Sequence, residues 1–413
     1  MVPKIDIHSY DAKYKRQLEK LDESPISAKN KALIHEFDHT CFLQEALGKP
    51  RRMKLVSALT ILAKDYLKKD FPNATERDLK DILLKLENRE DYSSWTKHSY
   101  KSIIKKFYKW LAYGDKYTQK LEYPAIVSWI NTGMKRKDQP HVQAGDIITQ
   151  KEIAKLLKAA EHPRDKAFLA MLYELGARIG EMGGLRIKDV NRDKYSYIVD
   201  LQGKTGHRTP RIVISDPHLT SWLNIHPYKD NPDAPLWIML GNRDKNARMH
   251  YAALRALVAR AVERAEIKKR IYPHLFRHSR VTHLLMDKQI NESQAKIYFG
   301  WTPDSKMIAE YSHLLSKDVN ETILEVHGIK VKKETDNEFK PKQCPSCQTI
   351  NNKDALFCQK CSKVLDVQAA IALDEQRKGT DNLMTELVKD PEIQRALVKK
   401  IVEMGLAEQL FKK

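Results

Sequence analysis

Residues 272–285 read YPHLFRHSRVTHLL, and this stretch combines an apolar pattern with many basic side chains. Leu275, Phe276 and Leu284 lie at roughly helical spacing, which predicts a helix that packs on a core. The basic side chains are His274, Arg277, His278, Arg280 and His283. Solvated faces usually carry lysine and glutamate, whereas clustered histidine and arginine indicate a bound anion such as phosphate. An ordinary basic helix face is the alternative interpretation.

The overall charge also indicates an anionic partner. The 413 residues include 73 Lys and Arg against 54 Asp and Glu, giving a net charge of +19 and a pI near 9.4. This excess favours nucleic acid over membrane as the partner, the alternative being a merely basic surface. At about 150 residues per domain, the length predicts two or three domains.

Neither a membrane nor a secreted location is expected. The sequence has no apolar run of about 18 residues or more, the length that a transmembrane helix needs. The N-terminal stretch MVPKIDIHSYDAKYK lacks the apolar core of a signal peptide. Four of the five cysteines form two CxxC pairs. We therefore expect a reducing, cytoplasmic environment without disulfides.

The first third of the chain is predicted to be helical. Polar residues 1–24 are interpreted as a loose N-terminal arm, and residues 25–132 as a helical domain. Its predicted helices cover 27–47, 53–69, 74–88 and 93–111. Cys41 lies on the apolar stripe of the first of these helices, so we expect it in the core rather than at a reactive site.

One face of the last helix in this domain is basic. Lys97, Lys101 and Lys105 follow each other at i, i+4 spacing, away from the apolar stripe. They are candidate DNA-binding residues, and an ordinary solvated face is the alternative.

A second domain follows a polar linker. The linker is GMKRKDQPHVQAGD, residues 133–146, and the second domain is predicted over 147–331. It begins with a capping-box signature from Thr149 to Glu152. Its predicted β-hairpin pairs strands 196–201 and 211–215. Further helices are predicted over 251–266, 274–287, 291–299 and 304–315. The fold class is therefore mainly α with a small antiparallel β-sheet.

Two further features of this domain suggest chemistry. Arg178 lies among apolar residues and needs a partner, which Glu181 three positions later can supply. Lys204, in the turn of the predicted hairpin, either reaches a ligand or is a solvated turn residue. The neighbouring Gly203-Lys204-Thr205 imitates a P-loop, but that motif needs a glycine where Ile198 stands.

These pieces occur in a characteristic order along the chain. They are Gly176-x-Arg178-x-x-Glu181, then Lys204, then His274-x-x-Arg277, then a Gly300-Trp301 corner followed by Tyr311. The ordered set resembles the tyrosine recombinases of the lambda-integrase family over about residues 25–330. The resemblance implies a helical core-binding domain followed by an α+β catalytic domain.

The resemblance also implies a role for each residue. Arg178 and Arg277 would neutralise the non-bridging phosphate oxygens with their guanidinium forks. Tyr311 would attack phosphorus and form a 3′-phosphotyrosine link, with His274 as the acceptor of its proton. Lys204 would donate a proton to the leaving 5′-oxygen. The energy stays in the phosphotyrosine bond, so no catalytic metal or ATP is needed.

The residues around this set have open or lesser roles. Trp301 stands where many members of the family have a second histidine; its N–H can donate to a phosphate oxygen but cannot shuttle a proton, and packing is the alternative. Tyr298 is a rival nucleophile that we expect in the core. His278 is expected to support the site or contact backbone, and Arg280 and His283 to face solvent or DNA.

The C-terminal part is predicted to hold a metal. Four cysteines in CPSCQTINNKDALFCQKC have zinc-ribbon spacing: Cys344, Cys347, Cys358 and Cys361. Four thiolates predict one structural Zn²⁺ in a ribbon over 340–366, similar to ribbons that follow some archaeal integrase-like recombinases. Disulfides are the alternative. Residues 367–413 are predicted to be a helical tail.

The resulting hypothesis is an integrase-type, site-specific DNA recombinase. We expect it to be monomeric or weakly associated in solution and to assemble as a tetramer on paired double-stranded DNA sites. Two alternatives stay open at this point: a nicking-closing enzyme like the type IB topoisomerases, and a DNA-binding regulator that has lost catalysis.

Overall fold

The computed structural model describes residues 5–134, 143–203, 206–241, 244–286, 290–311, 327 and 339–404. The chain divides into two units: residues 1–145 with 250–252, and residues 146–249 with 253–413. Helices dominate both units, and the described residues form three two-stranded antiparallel sheets. The predicted fold class is confirmed.

The first unit is a helical domain with an aromatic-rich core. Its helices are α1 (Tyr10–Asp22), α2 (Ala28–Leu43), α3 (Lys49–Ile61, continued by a π-helical turn Leu62–Leu67), α4 (Glu76–Glu87), α5 (Ser94–Tyr113) and α6 (Ala125–Ser128). Serine or threonine side chains cap the N-termini of α2, α4 and α5, which fixes where these helices begin. The buried core includes Phe37, Cys41, Leu59, Phe71 and Phe107. Burial raises the pKa of the Cys41 thiol to about 11, as befits a core residue.

The N-terminal residues differ from the predicted loose arm. Helix α1 carries Leu21 fully buried, and its Tyr14 hydroxyl donates to the carboxylate of Asp38 on α2. Arg52 on α3 donates from Nε to Asp38 Oδ1 at 2.9 Å. The polar composition of residues 1–24 concealed this arrangement, because a tyrosine attached to a buried ion pair holds α1 in place.

The second unit is arranged around one buried helix. Its helices are α7 (Gln150–Ala159), α8 (Pro163–Leu175), α9 (Ile179–Gly183), α10 (Asp216–Asn224), α11 (Tyr251–Arg264), α12 (Pro273–Met286) and α13 (Glu292–Phe299). Helix α8 is buried on nearly all sides and packs against α7, α10 and α12. The predicted capping box of Thr149 and Glu152 begins α7.

The β-structure of this unit differs from the predicted hairpin. Strand β1 (Val190–Arg192) pairs with β2 (Tyr197–Val199), and β3 (Leu201–Gly203) pairs with β4 (Gly206–Arg208). Residues 213–215, predicted as a strand, instead donate three backbone N–H groups to the buried carboxylate of Glu174, at 2.7–2.9 Å. A buried carboxylate needs several donors, and here they come from backbone that would otherwise pair in a sheet.

The C-terminal region contains a small ribbon and two helices. Strand β5 (Lys342–Gln343) pairs with β6 (Ile350–Asn351), followed by α14 (Val367–Lys389) and α15 (Pro391–Glu403). Pro391 begins α15, so the predicted helical tail consists of two helices in the described residues. None of the helices in the described ranges has the length and apolar character required to cross a bilayer.

We expect Asp38→Ala to lower the free energy of unfolding by about 3–5 kcal/mol, because Arg52 would remain buried without its partner. Asp11→Ala is the matched control: Asp11 is 81% exposed in its pair with Lys49, so its loss should cost about 1 kcal/mol or less. Urea denaturation of both variants measures the difference. Equal small losses would show that the buried pair does not hold the first unit together.

Candidate active site

The guanidinium of Arg277 joins three elements of the second unit. Its apolar neighbours on α12 pack in the core, and Arg277 is buried with them at 2% exposure. Its Nη1 donates to the carbonyl of Gly176 at 2.8 Å, and its Nη2 donates to the carbonyl of Phe299 at 2.7 Å. Since these carbonyls lie at the C-terminal ends of α8 and α13, the fork fixes both helix ends relative to α12.

A glycine makes this close approach possible. Gly176 ends α8 in the left-handed region with φ of +50°. A Cβ atom at this position would lie 2.6 Å from Cε1 of Phe299. The turn at Gly176 leads directly to Arg178 at the start of α9, so the position of the second arginine depends on it.

Glu181 connects Arg178 to a third arginine. Its Oε1 accepts from Arg178 Nη1 at 2.7 Å, and its Oε2 accepts from Arg208 Nη2 at 3.1 Å. Glu181 is buried, whereas the Arg178 side chain is 34% exposed. The β3–β4 hairpin lies close to Glu181, since a Cβ on Gly203 would lie 2.9 Å from Glu181 Oε1. Glu181 thus holds Arg178 at the open side of the cluster.

The third arginine, Arg208, was not predicted from the sequence. It is 9% exposed on β4, and it also donates to the backbone carbonyl of Tyr298. Nothing in its local sequence distinguishes it from a solvated hairpin arginine. The role of Arg208 becomes visible only in the folded chain, where Glu181 lies beside it.

The cluster carries more positive than negative charge. Arg178 and Arg208 both donate to Glu181, whose carboxylate also acts on Arg277 through its charge. Burial, together with repulsion from Arg178 and Arg208, lowers the pKa of Arg277 to about 10. Burial alone would raise the pKa of Glu181, but Arg208 and Arg178 lower it below its usual value. The arrangement is suited to an added anion.

Tyr311 lies against this cluster. It is 2% exposed, and its ring stacks on Trp301 with centroids 6.2 Å apart. Arg277 in turn lies over the Trp301 ring, 5.4 Å from its centroid. Trp301 thus makes packing contacts, and a phosphate contact by its N–H stays a prediction. Arg178, Arg277, Trp301 and Tyr311, far apart in sequence, belong to one continuous set of contacts.

The histidine bonded to Tyr311 is not the one that the resemblance implied. His278 Nδ1 lies 2.7 Å from the Tyr311 hydroxyl. His274 is exposed in the first turn of α12, and its ring meets that of His278 edge-on, with centroids 4.7 Å apart. The difference follows from helix geometry, because residues i and i+4 share a face but reach different heights along it.

Both histidines are surrounded by positive charge. Desolvation, then His274 and Arg277, lower the pKa of His278 to about 4. Desolvation, Arg277 and Arg178 also lower the pKa of His274. Both rings are therefore neutral at pH 7.

Other predicted residues have different outcomes. Lys204 lies outside the described residues. The Tyr298 hydroxyl donates to the carbonyl of Glu174 at 2.9 Å, and burial raises its pKa to about 12, as expected for a packed residue. The expectation that Arg280 and His283 face solvent or DNA is wrong. Arg280 Nε donates to the Glu174 carbonyl at 3.1 Å, and His283 Nδ1 lies 2.9 Å from the Tyr173 hydroxyl.

The three candidate DNA-binding lysines in the first unit have internal contacts. Lys97 donates to the carbonyl of Glu87 at 2.5 Å, and Lys101 pairs with the Glu87 carboxylate at 2.6 Å. Lys105 donates to the carbonyl of Ile130 at 2.8 Å. These contacts link the three amines to the C-terminal end of α4 and to the segment after α6.

A cavity of about 610 Å³ lies between α3 and α5, and its lining includes Arg51, Lys54, Trp95, His98 and Ser102.

The four ribbon cysteines form a compact thiol cluster. Their Sγ atoms all lie within 4.8 Å of one another, with Cys344 to Cys361 at 3.6 Å and Cys347 to Cys358 at 3.5 Å. They are not joined as disulfides. Four sulfurs at about 2.3 Å from a tetrahedral zinc would lie about 3.8 Å apart, so the cluster fits that ion.

Comparisons with known proteins agree with this geometry. The phage integrase family matches residues 146–318. Tyrosine recombinase XerA of Pyrococcus horikoshii is 29% identical over 227 residues, 53% of this chain and 71% of the relative. Tyrosine recombinase XerC of Corynebacterium glutamicum is 26% identical over 185 residues, 45% of this chain and 57% of the relative.

Solved structures show the same fold. XerH site-specific recombinase, in a post-cleavage complex with a palindromic difH substrate, has a TM-score of 0.52 at 16% identity, covering 79% of this chain and 98% of that one. A lambda integrase dimer bound to a COC′ core site has a TM-score of 0.51 at 12% identity, covering 73% and 79%. Residues 146–318 thus match the phage integrase family, and the chain shares the fold of these recombinases.

We expect Gly176→Ala to reduce the free energy of unfolding by at least about 2 kcal/mol, because the left-handed backbone and the contact with Phe299 both penalise a Cβ. Gly241→Ala is the control, since its Cβ would meet no atom within 4 Å and its φ is not in the left-handed region. Thermal unfolding of both variants provides the measurement. A stable Gly176→Ala variant would mean that the helix end adapts easily.

Proposed function

We propose that the protein is a site-specific DNA recombinase that cleaves and rejoins DNA through a 3′-phosphotyrosine intermediate. The observation that carries the proposal is the hydrogen-bonded Tyr311 phenol beside a cluster of three arginines with a single carboxylate among them. A phosphodiester would supply the missing negative charge and an electrophilic phosphorus. No catalytic metal is invoked, because guanidinium groups can stabilise the charge that develops on the non-bridging oxygens.

Each residue has a role in this proposal. Arg178 and Arg277 contact the non-bridging oxygens, and Glu181 keeps Arg178 oriented. Tyr311 attacks phosphorus. Lys204 protonates the leaving 5′-oxygen, as in the family that the motifs resemble. His274 lies at the exposed start of α12 and is assigned to the phosphate, while Trp301 supports the ring of Tyr311.

The proposed partner is double-stranded DNA, bound by a tetramer on paired sites. The net charge of +19 favours a polyanion. Structural neighbours include a lambda integrase tetramer bound to a Holliday junction. In the first unit, Lys97, Lys101 and Lys105 remain the candidate DNA contacts, and the cavity with Arg51 and Lys54 is a further candidate.

A structural Zn²⁺ is proposed for the ribbon. Cys344, Cys347, Cys358 and Cys361 would supply four thiolates and leave no open coordination position, so the ion would stabilise the ribbon and take no part in strand transfer. A cytoplasmic location is consistent with four reduced cysteines.

Tyr311→Phe should abolish the covalent adduct while DNA binding persists, since binding depends mainly on phosphate contacts. Genomic fragments recovered with the protein would provide the target, and a nicked suicide substrate would trap the adduct on a denaturing gel. Tyr298→Phe is the matched control and should still form it.

An adduct formed by Tyr311→Phe would exclude Tyr311 as the nucleophile. No adduct from the unaltered protein would favour a DNA-binding regulator. Relaxation of a supercoiled plasmid without recombinant product would favour a topoisomerase-like enzyme.

The purified chain should contain one zinc per molecule by elemental analysis. Cys358→Ser should lose most of it, because three thiolates bind far more weakly, whereas Cys41→Ser, in the helical core, should retain it. A metal-free protein with four reduced thiols would refute the zinc site.

A further inference from the structure

We infer that His278 accepts the proton of the Tyr311 phenol during attack, an inference that rests on the proposed recombinase function. Its Nδ1 lies 2.7 Å from the Tyr311 hydroxyl, and the two rings are 5.6 Å apart and tilted by 44°. A general base must lie within hydrogen-bond reach of the proton that it takes, and His278 does.

The charged groups around His278 keep its ring neutral, so that it can accept a proton. His274 and Arg277 face it from its own helix, and Tyr311 faces it from the opposite side. Arg178, Arg208 and Glu181 act in turn on Arg277. With a pKa near 4 the ring is neutral, and in the tautomer that this role requires Nδ1 offers a lone pair while Nε2 carries the proton.

Binding of a DNA substrate would make His278 more basic. A phosphodiester against Arg178 and Arg277 adds negative charge, which offsets the repulsion that disfavours a protonated His278. The basicity of His278 therefore rises when DNA is bound.

The step balances without any other reactant. The Tyr311 oxygen forms a bond to phosphorus while its proton moves to His278 Nδ1. The bond from phosphorus to the 5′-oxygen breaks, and that oxygen takes a proton from the leaving-group acid, assigned to Lys204. In religation His278 returns its proton to the phenol oxygen.

The test measures the attack step alone. A DNA substrate with a 5′-bridging phosphorothiolate releases a thiolate that needs no proton, so single-turnover adduct formation reports on Tyr311 activation. The variants are His278→Ala, which removes the acceptor, and His278→Asn, whose amide can accept a hydrogen bond near the Nδ1 position but takes no proton. His283→Ala is the matched control, because His283 makes the same kind of contact from α12 to the hydroxyl of Tyr173.

His278→Ala should lose about 10²–10⁴-fold in rate at neutral pH, the usual scale for general base catalysis. Its rate should then rise about tenfold per pH unit, because a phenol with a pKa near 10 must ionise into solvent. His278→Asn should share this slope, and His283→Ala should keep the slope of the unaltered protein.

A His278→Asn variant with the unaltered pH profile and rate would overturn the inference, even if His278→Ala proved unstable. Circular dichroism melting checks that both variants fold. Failure of the recombinase proposal itself looks different, since then the unaltered protein would form no adduct.

Discussion

A buried arginine that must satisfy its charge organises the second unit. Arg277 is drawn inside by its apolar neighbours on α12, and it donates to carbonyl oxygens at the ends of α8 and α13. Those helix ends can approach because Gly176 has no side chain. Phe299 and Trp301 then pack against this guanidinium, and Tyr311 stacks on Trp301. The nucleophile proposed here is thus positioned by the residue proposed to bind its target.

The electrostatics explain why such a site remains inactive without its substrate. Three guanidinium groups around one carboxylate favour neutral histidines and an arginine with a depressed pKa. An incoming phosphodiester relieves the repulsion between the arginines and makes His278 more basic. In this account binding and activation have one cause, the arrival of negative charge, and a catalytic metal would add little.

The sequence predicted those features that depend on order along the chain. The motifs around Arg178, Arg277 and Tyr311 identified the family, and the structure brings these residues together. Prediction from the sequence was wrong where a contact with a residue far away in the chain determines the local structure. Glu174 takes the backbone donors of residues 213–215 that had been assigned to a strand, and Asp38 holds a helix in the supposed N-terminal arm.

The choice of histidine shows the same limit. His274 and His278 lie on either side of Arg277 in the sequence and share a face of α12. Their spacing alone cannot decide which of them reaches Tyr311. Likewise, the sequence shows the basic stripe of α5 but not that backbone carbonyls of Glu87 and Ile130 accept hydrogen bonds from its amines. Periodicity locates a face but does not identify what lies opposite it.

The central claim is that Tyr311 becomes joined to DNA. Tryptic digestion separates the two rival tyrosines, because Tyr298 falls in IYFGWTPDSK (297–306) and Tyr311 in MIAEYSHLLSK (307–317). Mass spectrometry of the trapped and nuclease-treated adduct should find a nucleotide 3′-phosphate on the second peptide alone. The nucleotide on the first peptide, or on any other, would contradict the account.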